Sequence, residues 1–148
     1  MSYFIGKWQG EGSGEPGIGK YQREYQWVMN KRFIQVSNRS TYPPAASNNN
    51  KGETHEDMGF ISYNGATKCF MLRQFHTEGF VNQYKLDSIS PDKKTIVFIT
   101  ETIENIPAGY RARESYTIVD KDNFIETFEI AEPGKDFALY TKTRLKRQ

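Results

Sequence analysis

Tyr21-Gln22-Arg23-Glu24-Tyr25-Gln26-Trp27-Val28-Met29 decides the fold by its period. Tyr21, Arg23, Tyr25, Trp27 and Met29 alternate with Gln22, Glu24 and Gln26. A two-residue period sends one set of side chains inward and the other into water, as a half-buried strand does. The same alternation returns in Phe80, Asn82, Tyr84 and Leu86 against Val81, Gln83 and Lys85. Val97, Ile99, Glu101 and Ile103 share one side of a later run, and Phe124, Phe128 and Ile130 do so in the next. No segment carries the 3.6-residue stripe of an amphipathic helix.

Turn signals separate these runs: Asn30-Lys31, Asn64-Gly65, Thr77-Glu78-Gly79, Ser90-Pro91-Asp92, Pro107-Ala108-Gly109, Lys121-Asp122-Asn123 and Glu132-Pro133-Gly134. Strands are expected at about 5–12, 20–30, 32–42, 55–63, 67–76, 79–88, 94–103, 110–119, 123–131 and 136–146. Ten strands joined mostly by short turns make an up-and-down antiparallel meander, and closure into a barrel removes its exposed edges. The expected fold is therefore all-β, one closed barrel domain over residues 1–148, wide enough that side chains need not fill it. Pro43 to Asp57, polar and without a period, is expected to be a long loop at one mouth.

Composition narrows the function. The chain has 20 basic and 18 acidic residues, a net charge of +2, which is too balanced for a nucleic-acid or anionic-membrane binder. No run approaches the length of a membrane helix, and Met1 to Gly10 does not resemble a secretory signal. The lone Cys69 cannot form an internal disulfide, so a cytoplasmic protein is expected. Lys142 to Arg147 is the one basic excess and reads as a strand with a solvated face. Aromatic residues make up 14% of a polar chain, which suits both pleated strands and a cavity wall.

Catalytic signatures are sparse. The glycines from Gly10 to Gly19 lack the strand-turn-helix setting of a phosphate loop and fit a first hairpin in which backbones approach closely. Cys69 has no histidine beside it in sequence, and His55 and His76 show no metal-ligand spacing. Arg23, Arg73, Arg113 and Glu114 interrupt half-apolar strands. Facing inward, an arginine there would be paired or would bind a ligand carboxylate through its fork; facing outward, it would only meet water.

Phe4-Ile5-Gly6-Lys7-Trp8-Gln9-Gly10-Glu11-Gly12 resembles the opening of the calycin superfamily, the lipocalins and fatty-acid-binding proteins, whose first strand carries Gly-x-Trp. That resemblance implies that Gly6 and Trp8 form a structural signature at the closed end. It also implies that Trp8 is covered by a basic residue from the chain end, Arg144 or Arg147, through stacking and cation–π attraction. The chain is similar, more closely, to the nitrobindin family of ten-stranded haem b barrels. The match lies in Gly6 to Gly12, in Thr54-His55-Glu56-Asp57-Met58-Gly59-Phe60-Ile61, and in Ile130 to Lys135 running on to Leu145-Lys146-Arg147. The family holds iron by a histidine in the last strand. Here Tyr140 stands in that place and no histidine follows His76. Tyrosinate can ligate ferric haem, given a lowered pKa.

The expectation is a non-catalytic intracellular barrel that holds a small apolar or amphipathic molecule, with no metal and no membrane insertion. Tyr21, Tyr25, Trp27, Phe80, Tyr84, Phe128 and Tyr140 are the expected cavity residues. Arg23 or Arg113 is the polar anchor, and His55 stands at the rim. A one-residue slip in any strand would invert its faces. The rivals are a haem barrel acting on reactive nitrogen species, with Tyr140 in place of the proximal histidine, and an interaction module with a solidly packed core.

Overall fold

A computed structural model describes residues 1–148, the side chain of Ser47 excepted. Ten strands follow in chain order: β1 Gly6–Gly14, β2 Gly19–Val28, β3 Phe33–Tyr42, β4 Glu53–Asn64, β5 Cys69–His76, β6 Val81–Ile89, β7 Thr95–Glu104, β8 Arg111–Ile118, β9 Asn123–Ala131 and β10 Ala138–Arg147. Each pairs antiparallel with its neighbours in sequence, and β1 pairs with β10. The result is a closed up-and-down barrel, with 3-10 turns at Ser2–Phe4 and Ala46–Asn48.

One end is plugged. Trp8 is 1% exposed, donates from Nε1 to the Phe4 carbonyl at 2.7 Å, and meets Phe124 edge to face with ring centroids 4.8 Å apart. The Ser2–Phe4 turn tucks Phe4 beneath the barrel against Tyr25, Tyr116 and Phe124. Of the two candidate arginines, Arg147 covers the indole. Its guanidinium lies 4.0 Å from the ring centroid and donates to the Ile5 and Tyr3 carbonyls at 2.8 and 2.7 Å. Arg144 stands exposed on the outer face with Lys142 and Lys146, while Thr141, Thr143 and Leu145 point inward.

Beyond Trp8 the inward positions of β1 are glycines. A Cβ on Gly10 would lie 1.9 Å from the Arg144 carbonyl oxygen, so close approach of β1 to β10 requires glycine there. The same run places no β1 side chain in the upper half of the barrel.

Two expectations need correction. The loop ends at Gly52: residues 53–57 are strand, with His55 opposite Ser40 and Asp57 opposite Asn38. Hydrophobic alternation could not reveal them, because their inward side chains line a polar space. On β7 the buried residues are Ile96 and Phe98, so Val97, Ile99 and Glu101 face outward. A register shift across Glu101, where Gln83 pairs Thr102 but Tyr84 pairs Thr100, then returns Ile103 to the interior. On β10 a bulge falls at Tyr140 itself, since Leu139 pairs Glu129 and Thr141 pairs Phe128. The extra residue lets Tyr140 and Thr141 both border the interior, although strict alternation would give that side to only one.

Candidate functional site

The open half of the barrel encloses a cavity of about 370 Å³. Its walls are apolar: Phe80, Ile103, Ile106, Phe128 and Ile130, with Tyr42, Tyr110 and Tyr140 nearer the mouth. A larger hollow of about 620 Å³ is bordered by Lys7, Glu24, Arg39, Glu56, Met58 and Phe75 on the outside of β1 to β5. Its charges are paired, Lys7 with Glu24 at 3.9 Å and Arg39 with Glu56 at 3.4 Å, and it reads as a surface saddle.

The cavity floor is polar. Arg23, 7% exposed, donates from Nε and Nη2 to Glu126, with the shortest contact at 2.6 Å. Its Nη1 donates to the Gln22 carbonyl at 3.0 Å and to Ser40 Oγ at 3.3 Å. Burial works against the guanidinium charge, and the Glu126 carboxylate more than restores it. Burial pushes the Asp57 carboxyl up to about 6, against the opposing pull of Arg23 and of the Asn38 amide, which donates to it at 2.8 Å. Gln74 Nε2 donates to the same oxygen at 3.4 Å. Burial and then repulsion from Glu126 push Glu114 up to about 8, while Tyr116 donates its hydroxyl to it. Asn82 donates to Tyr84 Oη at 2.9 Å. The amide oxygens of Asn38, Gln74 and Asn82 are buried and have no partner, an arrangement that costs stability unless something else meets them.

The mouth holds the imidazoles. His55 meets Glu53 at 2.9 Å through Nε2 and Glu78 through Nδ1. Burial resists ionisation of Glu78, but its hydrogen bond with His55 outweighs this and holds the carboxyl below its usual range. His76 stacks on Phe80 with centroids 4.1 Å apart, and its Nε2 faces the Asn82 amide at 3.3 Å. Burial lowers its pKa to about 4, so the ring is neutral at pH 7. Tyr21 and Tyr42 share a hydroxyl hydrogen bond of 2.8 Å.

The expected site residues thus divide. Arg23, Tyr21, His55, Phe80, Phe128 and Tyr140 border the cavity. Tyr25 and Tyr84 are buried, 2% and 0% exposed, but lie outside its lining. Trp27 has the right parity yet is 38% exposed, because β1 begins only at Gly6, opposite Tyr25, and gives it no neighbour on that side. Arg113 faces outward, bound by both nitrogens to Glu129 at 2.6 Å, and cannot anchor an interior ligand. Asp57, Gln74, Asn82, Glu114 and Glu126 were not among the expected ligand contacts. For Glu126 a signal existed: it lies two residues from Phe124 and from Phe128, on their inward face.

The residues present do not fit haem held from the last strand. A tyrosinate ligand needs a depressed pKa, but burial and then Glu15, Glu53 and Glu78 raise that of Tyr140. His55 is occupied on both ring nitrogens. An apolar macrocycle laid on the floor would leave the oxygens of Asn38, Gln74 and Asn82 without partners.

No helix is long and apolar enough to cross a membrane among the described residues, and these hold no group of three or more His, Cys, Asp or Glu able to bind a metal ion. No curated protein matches the chain. Among solved structures it is similar to Rv2717c from M. tuberculosis, with 18% identity, TM-score 0.74, and 99% of this chain and 94% of that one covered. It is also similar to a redesigned β-barrel, with 11% identity, TM-score 0.50, and 99% and 93% coverage. At such identities the likeness concerns the fold. The family model described as "THAP4-like, heme-binding beta-barrel domain" matches residues 1–147, and the chain belongs to that family.

Proposed function

We propose that this barrel is a non-catalytic binding protein for a small amphipathic molecule, held inside the open half with its polar end down. The observation that carries the reading is the enclosed space of about 370 Å³ with aromatic and aliphatic walls above unpartnered buried amide oxygens. The volume falls in the range of small-molecule sites, and a few polar groups in an apolar pocket fix a ligand's orientation. Isothermal titration calorimetry with eight-carbon chains bearing different head groups tests it. Saturable one-to-one binding of at least one of them, lost on filling the cavity with Ile130→Trp, is the expected result. Absence of heat for all of them at two temperatures overturns the proposal, since the negative heat-capacity change of apolar burial would otherwise reveal binding at one of the two.

Haem is the second reading, favoured by the family match over residues 1–147. Haem would supply redox and diatomic-ligand chemistry when bound, and His76, whose neutral ring borders the cavity, is the residue best placed to hold it. An absorbance titration separates the readings. The amphipathic reading expects no Soret band beyond that of free haem. A sharp Soret band that disappears in His76→Ala establishes the haem reading instead.

A further inference from the structure

We propose that the cavity selects amphipathic amines: its floor receives a cationic, N–H-rich head group and rejects a carboxylate. This deepens the binding function proposed above and rests on it. A floor arginine could in principle have held an anion. Arg23 is not available for that, because Nε and Nη2 are engaged by Glu126, and Nη1 by Gln22, Arg39 and Ser40. The remaining ionisable groups of the floor are carboxyls, Asp57 and Glu114, set against that single guanidinium.

The unpartnered atoms point the same way. Asn38 and Gln74 both turn their amide nitrogens to Asp57 Oδ1, at 2.8 and 3.4 Å. Flipping either amide would press an oxygen against a carboxylate, so the orientation is fixed by its partner. Both oxygens are therefore left over, and with Asn82 Oδ1 they are three buried acceptors without partners, on residues that line one cavity. Gln74 and Asn82 are each 1% exposed, so bulk water does not serve them. A carboxylate brought here would be set beside the Asp57 carboxylate and these oxygens, with Arg23 already engaged by Glu126. An ammonium carries three donors and no acceptor, which is the complement of this set.

Charge supports the geometry. Burial already raises Asp57 to about 6 and, together with Glu126, raises Glu114 to about 8. Arg23 acts on both from a distance but is ion-paired with Glu126, so neither carboxyl has an ion pair of its own for a bound cation to compete with. At the mouth Glu78 lies beside the entrance, with Arg111 as the opposing charge, engaged with the Lys135 carbonyl at 2.8 Å and with the Phe137 ring.

Calorimetry with n-octylamine, n-octanol and n-octanoate at pH 7 tests this, since the three share one apolar chain. The expected order is amine, then alcohol, with octanoate weakest. The expected gap between amine and octanoate is about a hundredfold or more, as charged hydrogen bonds gained and lost together imply. Octanoate binding as tightly as the amine overturns the selectivity while leaving the binding cavity intact. No binding by any of the three overturns the binding reading itself. Asp57→Asn keeps the shape of the floor and removes its charge, and is expected to cost the amine about tenfold with little change for octanol. If that variant does not fold, Gln74→Met removes one acceptor at similar volume and is expected to weaken the amine relative to octanol. An unchanged amine-to-octanol ratio in the folded variant counts against the proposal.

Discussion

The two ends of this barrel are built from opposite materials. At the closed end Phe4, Trp8 and Phe124 pack edge to face, and the one polar atom of the indole reaches the Phe4 carbonyl at 2.7 Å. In the open half, the deepest layer is Arg23, Asp57, Glu114 and Glu126, with amide oxygens that find no partner. Packing density stabilises the first region. The second bears desolvated charge, which stabilises a fold only weakly even when well paired. On the proposed reading, a barrel that keeps such a layer beside a cavity holds its stability at one end and its ligand at the other.

The largest expected effect belongs to the plug. Trp8→Ala should lower the unfolding free energy by about 3–5 kcal/mol, as other large core truncations do. Measured by urea denaturation, the loss should leave octylamine affinity of the folded fraction unchanged. Loss of affinity with stability intact would reverse the assignment of the two ends.

Breaking the buried pair is expected to cost about as much by a different route. Glu126→Leu leaves the Arg23 charge uncompensated and should destabilise by about 3–5 kcal/mol, whereas the double variant Arg23→Leu, Glu126→Leu should recover most of that. A double variant no more stable than the single one would mean that the pair itself, rather than its burial, stabilises the barrel.

Titration sharpens the contrast further. Glu114 stands at about 8 in the fold against an ordinary 4.5. The folded state thus binds this proton more tightly, and stability falls as pH rises through 8. His76, lowered to about 4 from 6.5, contributes stability above 6.5 that is lost as pH falls, so it is silent in the upper window. Between pH 6.5 and 8.5 the barrel should therefore lose stability at up to about 1.4 kcal/mol per pH unit. Thermal melts across that window should flatten in Glu114→Gln, and an unchanged slope would place the titrating group elsewhere.

The smallest effect distinguishes two arginines three residues apart. Arg147→Ala removes the cation above Trp8 and should cost about 0.5–2 kcal/mol. Arg144→Ala, on the exposed face, should stay within about 0.5 kcal/mol of the parent. Equal costs would refute the assignment of Arg147 as the cap.

The closed end was legible through the resemblance of the first strand to the calycin opening, which implied Gly6, Trp8 and a covering arginine, Arg144 or Arg147. Only the structure separates Arg147 from Arg144. The ten strands were legible too, since turn residues bracket each alternating run. The polar floor was hidden for the same reason that it is informative. Asp57 and Gln74 face inward without being apolar, so a rule that sends apolar residues inward leaves Asp57 in a loop and passes over Gln74; Asn82 was on the right face with Phe80 and Tyr84, but alternation gave it no role. Tyr140 was placed at the cavity by the family resemblance and not by alternation, because a bulge changes parity without any mark in the sequence. Trp27 misled because alternation gives a side chain's face but not where its neighbouring strand stops.

Side-chain amide and indole resonances report both regions at once. In a titration of the isotopically labelled protein with n-octylamine, the side-chain amides of Gln74 and Asn82 should shift in proportion to occupancy. The Trp8 indole N–H, fixed on the Phe4 carbonyl, should stay where it is. Movement of the Trp8 signal with the floor amides unmoved, or shifts confined to Met58 and Phe75 on the outer saddle, would contradict a polar-floored binding cavity in the open half of the barrel.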